Sequence, residues 1–228
     1  MNEPDPPSRE SRGSTPDLDP GDLLTLADWR RRVAELYAAV RAIARDDPEA
    51  AHARWRTARE ALLRDHPQSP VPADARQTFR SAFWPYDPAL RFEVEVEAAP
   101  AQAPSDLTIQ LPNSGSEALA FARLGAVAIP FGEGQRRLSL FWMEGYSGGL
   151  FLPFRDATNG AQTYGAGRYL LDSAKSADLG GDPVRGTLVL DFNFAFQPSC
   201  AFDPRWACPL APPENRLDIE VRAGERLA

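Results

Sequence analysis

The residues best equipped for chemistry lie in two segments of the C-terminal half. The run DATNGAQTYGAGRY spans Asp156–Tyr169. Asp156, Thr158 and Asn159 offer oxygen acceptors, while Tyr164, Arg168 and Tyr169 offer hydroxyl and guanidinium donors. Three glycines within eight residues let main-chain amides close on a ligand. Such a set can clamp a carboxylate or phosphate. Its competitor is a structural loop in which Asp156 caps a turn and Arg168 pairs with a buried carboxylate. The second segment, Leu188–Asn193, alternates Leu188, Leu190 and Phe192 with Val189, Asp191 and Asn193. A period of two puts the polar pair on one strand face, fit for ligand contact or an ion pair with Arg168.

Other motifs carry less. Gly145-Tyr146-Ser147-Gly148-Gly149 fits G-x-S-x-G, but the nucleophile elbow needs a helix after the serine and a histidine later in the chain. Here a strand-like Leu150–Phe154 follows, and both histidines, His52 and His66, lie upstream. Cys200 and Cys208 have seven residues between them, too many for a C-x-x-C site. They read as buried structural thiols or a redox pair, a loop-closing disulfide being the next reading, with metal binding and nucleophilic catalysis as further alternatives. No zinc set surrounds them, and no metal ligands are assigned.

The elements that must position these groups follow from periodicity. Residues 1–21 hold five prolines and five acids and read as a disordered tail. Residues 22–66 form a helical hairpin. Leu26, Trp29, Val33, Leu36, Tyr37, Val40 and Ile43 make one apolar stripe. Thr25 with Asp28 is the expected cap of the first helix, and Asp47-Pro48 that of the second. On the second helix Ala51, Trp55, Ala58 and Leu62 share a face, with His52 near its edge. Residues 67–90, with five prolines, read as a linker wrapped over the surface.

From residue 91 to 228 the period becomes two. Strands are expected at Phe92–Val96, Leu107–Leu111, Leu119–Phe121, Val127–Phe131, Leu138–Trp142, Leu150–Phe154, Thr187–Asn193 and Leu217–Val221. Asn113-Ser114-Gly115 and Gly132-Glu133-Gly134 supply turns. The expected fold class is mainly β, an antiparallel β-sandwich or barrel preceded by an N-terminal helical hairpin.

Composition narrows the function classes. The chain has 228 residues and a formal net charge of −7, with no basic block, which argues against nucleic acid. No run approaches the roughly 20 apolar residues of a membrane span, and no secretory signal is visible. A reducing, cytoplasmic setting is therefore expected. Lys175 is the single lysine among 25 basic residues; the arginine excess reads as GC-rich coding.

Long stretches of the chain resemble a known family. FRDATNGAQTYGAGRYL, LDFNFAFQPSCAFDPRWACPLAPPENRL and the closing Ala223-Gly224-Glu225 are similar to motifs of the bacterial and archaeal domain of unknown function 1684 family. WRTAREALLRDHPQSPVP and FWPYDPALRF resemble its N-terminal signatures. The positions that match are Asp156, Thr158, Gly160, Thr163, Tyr164, Gly167, Arg168, Tyr169, Asp191, Asn193, Cys200, Cys208, Pro209 and Asn215. Ala166 stands where glycine is usual, and Phe196-Gln197 where tyrosine-asparagine is. The resemblance implies a fold mostly of strands and supplies no reaction.

The leading functional expectation is a pocket for a small anionic ligand in the β-domain. Arg168 holds the anion, Thr158, Asn159, Tyr164, Tyr169 and Asn193 orient it, and Asp191 fixes the arginine. One alternative is a hydrolase or lyase using Asp156 or Asp191 as general base or around a divalent metal. Another is a non-enzymatic interaction module docking through the hairpin and tail. No cofactor and no oligomeric state is assigned.

Overall fold

The computed structural model describes residues 19–99, 108–111, 120–132, 134–145 and 148–228. The expectations at residues 1–18, Leu107, Asn113-Ser114-Gly115, Leu119, Glu133 and Tyr146-Ser147 lie outside them.

Two helices come first, α1 (Pro20–Ile43) and α2 (Pro48–Asp65). Both begin with Asp-Pro. Asp47 accepts from the Ala50 amide at 2.9 Å with Pro48 at the first helical position, an arrangement that needs no N–H where none could be used. The same chemistry starts α1 at Asp19-Pro20, six residues before the cap expected at Thr25. Thr25 lies inside the helix, and its hydroxyl donates to the Asp22 carbonyl.

Ten strands follow: β1 (Ala82–Phe83), β2 (Arg91–Ala98), β3 (Thr108–Gln110), β4 (Ala120–Phe131), β5 (Gly134–Met143), β6 (Gly149–Phe154), β7 (Arg168–Asp172), β8 (Gly181–Asp182), β9 (Thr187–Asp191) and β10 (Glu225–Arg226). Seven of them form a curled antiparallel half-barrel in the order β7-β6-β5-β4-β2-β9-β8, with β3 paired to β4. β1 and β10 pair separately and tie the segment after the hairpin to the C-terminal residues. The antiparallel β architecture behind a helical hairpin is the one the periodicity implies. Among the described residues, no helix is long and apolar enough to cross a membrane.

Four expected strands differ. The runs around Phe121 and Val127–Phe131 are one strand, β4, interrupted by a register shift between Arg123 and Gly125. A Cβ at Gly125 would sit 2.1 Å from the Glu97 carbonyl oxygen, so β2 and β4 can approach there only because the side chain is missing. Gly125→Ala is therefore expected to cost about 1–3 kcal/mol through overpacking, read as an earlier urea midpoint at unchanged slope. Leu217–Val221 is not a strand: it bends at Asp218 and Ile219 and lies outside any sheet. It lies along Arg155–Ala157, with Leu217 donating to Arg155 O at 2.8 Å and Ala157 to Ile219 O at 2.9 Å. Finally, β9 stops at Asp191, and Phe192–Phe194 turn as a short 3-10 helix. The strand alternation therefore ends before Asn193.

The concave core gathers Val127, Ile129, Leu138, Leu140, Leu152, Phe154 and Phe192. Phe121, Phe141, Phe151 and Tyr169 form a second cluster. Leu140 and Phe141 are neighbours on β5 and point to opposite faces, so the middle of the sheet is covered on both sides. The hairpin adds a third cluster, in which Leu36, Tyr37, Val40, Ala51 and Trp55 pack on Ala177 and Phe194. Val33 is half-buried and packs on the edge of this cluster. Leu26 and Trp29, nearer the start of α1, remain half-buried.

Candidate functional site

Two polar assemblies emerge, one closed and one open. The closed one contains most of the residues singled out by type. Its loop runs between β6 and β7 and satisfies itself. The Thr158 hydroxyl bonds the Asp156 carboxylate at 2.8 Å, and the Asn159 side-chain amide donates to Thr163 Oγ1 and to the Tyr164 carbonyl. Gly160 and Gly167 take positive φ, 83° and 105°, which other residues rarely adopt. At Gly167 a Cβ would also meet the Phe154 carbonyl oxygen at 2.5 Å.

Arg168 leaves this loop into the interior and is 0% exposed. Its Nη2 donates to Val221 O at 2.8 Å and to Asp156 Oδ2 at 3.3 Å. Its Nη1 donates to Glu225 O at 3.1 Å and to Ala223 O. The guanidinium packs between the rings of Trp84 and Phe154, 5.3 and 5.1 Å from their centroids. Asp156 Oδ2 also accepts from the Val221 amide at 2.7 Å. Burial pushes the arginine's pKa down to about 10, with Asp156 and Glu225 opposing, so it stays charged at neutral pH. The anion held by Arg168 is the protein's own, and the cation staples the C-terminal segment to the sheet.

Asp191 is elsewhere. Its Oδ2 meets Arg91 Nη1 at 3.2 Å and the Tyr86 hydroxyl at 3.3 Å. Its Oδ1 caps the turn after β9, accepting from the Asn193 main-chain and side-chain nitrogens at 3.0 and 2.8 Å. The Asn193 amide is engaged with the main chain of Asp87, donating to its carbonyl and accepting from its N–H. Burial raises the Asp191 pKa. The expected Asp191–Arg168 pair therefore gives way to Asp191–Arg91 and Asp156–Arg168. Arg168, Thr158 and Asn193 are all 0% exposed, and the hydrogen bonds they make go to the chain itself, while Arg168 Nε is buried without a hydrogen-bond partner among the described residues. Among the described residues, no three His, Cys, Asp or Glu side chains converge as a metal site.

Asn215 belongs to the same internal class. Its Oδ1 accepts from the Ser139 amide, and its Nδ2 donates to the Ser139 and Pro153 carbonyls at 2.9 and 2.8 Å. It fills the backbone positions that a neighbouring strand would otherwise satisfy.

The open assembly is a cleft of about 370 Å³ between the hairpin and the sheet. α1 contributes Leu26, Trp29, Arg30 and Val33, so the half-buried first half of its stripe is a cleft wall. Tyr169 and Lys175 come from β7 and the turn after it, Phe196 and Gln197 from the chain beyond β9, and Phe202, Trp206 and Cys208 from the loop after that. Of the residues picked from sequence, the cleft receives Tyr169 and Cys208. The Tyr169 hydroxyl donates to Pro209 O, and burial raises its pKa well above the ordinary value. Tyr164 is half-buried beside Cys200, with its pKa pushed up to about 12 by burial.

The charges of the cleft oppose those of the chain. Arg30, Arg59 and Lys175 line it against one carboxylate, Asp172, in a protein of net charge −7. Arg59 is held behind the wall by Glu225, Nε to Oε1 at 2.5 Å and Nη2 to Oε2 at 2.9 Å. Lys175 pairs with Asp172 at 3.1 Å. Arg30 makes no hydrogen bond or ion pair among the described residues; the Asp172 carboxylate raises the Lys175 pKa, with burial and the Arg30 charge opposing. Gln197 is 7% exposed, and its Oε1 is buried without a hydrogen-bond partner. Sequence reasoning missed Arg30 and Gln197 as site residues. The available signals were the lone lysine and an α1 stripe longer than one hairpin contact requires.

A groove of about 630 Å³ between the two helices is larger. Its charges serve one another, Asp28 being taken by Arg32 at 2.6 Å and by His66 at 3.2 Å. Asp28, Glu35 and Asp65 line it against Arg32 and Arg54, so no excess of positive charge is left there to select an anion.

Comparison with known proteins places the chain. The structure is similar to the solution NMR structure of the uncharacterized protein from gene locus rrnAC0354 of Haloarcula marismortui. The two share 32% sequence identity over 75% of this chain and 90% of that one, with a TM-score of 0.55. No curated protein matches. Residues 78–226 match the family described as protein of unknown function (DUF1684), and to that family the chain belongs.

Proposed function

We propose that the protein binds a small amphipathic anion in the cleft between the helical hairpin and the sheet. The single observation behind this reading is a cleft lined by three cations and one carboxylate, with Arg30 unpaired among the described residues, on an acidic chain. A cavity of about 370 Å³ lies within the range of small-molecule sites, which are mostly apolar with a few placed polar groups. Trp29, Val33, Phe196, Phe202 and Trp206 supply the apolar wall, while Arg30 and Lys175 flank it with positive charge. Gln197 Oε1 adds an acceptor for a donor on the ligand. The anion anchor expected at Arg168 thus passes to Arg30 and Lys175. A hydrolytic or lyase role for Asp156 or Asp191 is less well supported, because both carboxylates are hydrogen-bonded to structural partners.

The test uses two fluorescent probes of similar size, anilinonaphthalene sulfonate and the uncharged N-phenyl-naphthylamine. The double variant Arg30→Gln/Lys175→Gln should bind the sulfonate about tenfold more weakly, the equivalent of ~1.4 kcal/mol, and the neutral probe unchanged. Trp29→Ala should weaken both. Sulfonate affinity unaffected by the double variant would contradict the reading.

A further inference from the structure

We propose that Cys200 and Cys208 are a redox dithiol whose closure into a disulfide reshapes one wall of the cleft. The Cys200 amide donates to Cys208 Sγ at 3.3 Å, and the two side chains hydrogen-bond each other. They are not joined, and both are buried. Cys208 lines the cleft, as do Ser199, Phe202, Trp206 and Ala207. The loop that a disulfide would close is therefore the wall itself. It is folded on its own bonds: Phe202 and Asp203 donate to Ser199 O, and Trp206 to Asp203 O. The hydroxyls of Tyr164 and Tyr169 reach the thiols, Tyr164 on Cys200 and Tyr169 on Cys208. The hydrogen bond with Cys200, and then burial, favour the protonated form of Cys208, so exchange waits on loss of that proton.

The reaction needs a low-molecular-weight disulfide as oxidant. Cys208, on the cleft side, loses its proton and its sulfur attacks the entering disulfide. One S–S bond forms to the protein, and one small thiolate leaves. Cys200, deprotonated in turn, attacks the Cys208 sulfur and expels the second thiolate. The two protons released by the cysteines convert the thiolates to thiols, and two electrons pass from the protein to the oxidant. Closure shortens the sulfur separation to about 2.05 Å. Cys208 lines the cleft, so closure alters that wall, and the expected consequence is at least a fivefold change in sulfonate affinity. The binding consequence rests on the function proposed above; the dithiol and the loop change do not.

The experiment treats the full chain with bis(2-hydroxyethyl) disulfide and weighs it after denaturation. The expected product has lost two hydrogens and retains no hydroxyethylthiol, whereas Cys200→Ser traps one hydroxyethylthiol on Cys208. Hydrogen exchange across residues 201–207 should change on oxidation of the wild type and not of Cys200→Ser treated alike. An unchanged mass, or a stable mixed disulfide on the wild type, overturns the dithiol. Loss of two hydrogens with unaltered exchange in 201–207 overturns the coupling to the wall. If the sulfonate binds neither form, the ligand reading fails, while mass and exchange still decide the thiol pair.

Discussion

Replacing Arg168 with methionine should lower the unfolding free energy by about 3–5 kcal/mol, the usual loss when one member of a buried ion pair is removed. The geometry explains why so much depends on one side chain. Without the guanidinium, the Asp156 carboxylate keeps the Thr158 and Val221 donors but loses its cation at 0% side-chain exposure. The carbonyls of Val221, Ala223 and Glu225 lose their shared donor at the same time, and stranded buried acceptors are costly to leave. Burial lowers the arginine's pKa to about 10, so the guanidinium stays charged across the range where the protein would be handled. Asp156→Asn in the Arg168→Met background should recover part of the loss, because the uncompensated charge goes with it. Urea midpoints of the two single variants and the double variant measure this. A ligand-holding arginine would behave in the opposite way, with stability unchanged within ~0.5 kcal/mol, as for substitutions away from buried networks, and binding lost.

Acid should destabilise the wild type through His52 by about 2–3 kcal/mol between pH 7.5 and 4.5, and should not do so in His52→Leu. His52 is 2% exposed, stacked on Trp55 with ring centroids 5.9 Å apart and surrounded by Phe83, Tyr86 and Phe194. Its Nε2 has no hydrogen-bond partner, while its bond with the Asn193 main chain favours the protonated ring. Burial, and then the nearby Arg56 charge, push its pKa down from 6.5 to about 4. The unfolded chain therefore takes up this proton first as pH falls. The stabilising contribution is complete above pH 6.5 and is lost progressively toward pH 4. Asp191, whose pKa is raised, pulls the other way in both proteins and cancels in the difference. Equal acid sensitivity of wild type and variant would mean that His52 is protonated in the folded state without cost.

Much of the architecture is legible in the sequence, because it depends on local chemistry. Alternation marks the strands at Arg91–Ala98 and Thr187–Asp191, and Asp47-Pro48 marks the start of α2. The misread boundaries have local causes of another kind. Gly125 allows a register shift inside β4 where two strands were expected. Asp191 turns the chain with its own side chain before the alternation reaches Asn193. Leu217–Val221 has the strand pattern but pairs with an irregular segment, Arg155–Ala157.

The candidate site is harder to read for a deeper reason. A loop rich in Asp, Thr, Asn and Gly looks alike whether it wraps a ligand or a neighbouring segment. The deciding partners of Arg168 are main-chain carbonyls 53 to 57 residues downstream, and no side-chain pattern announces them. The cleft has the converse problem. Its walls come from α1, β7 and the two loops beyond β9, each contributing residues that look ordinary in their own segment. Trp29 reads as helix core and Lys175 as a surface charge until the fold brings them to one opening.

The most direct test of the cleft as a binding site is an amide NMR titration of the full chain with anilinonaphthalene sulfonate. The account predicts shifts at Trp29, Arg30, Lys175, Ser199 and Trp206 and at the Gln197 side-chain amide, with Thr158, Arg168 and Asn193 unmoved. Shifts centred on the loop from Asp156 to Tyr164, or none at the cleft, would contradict it.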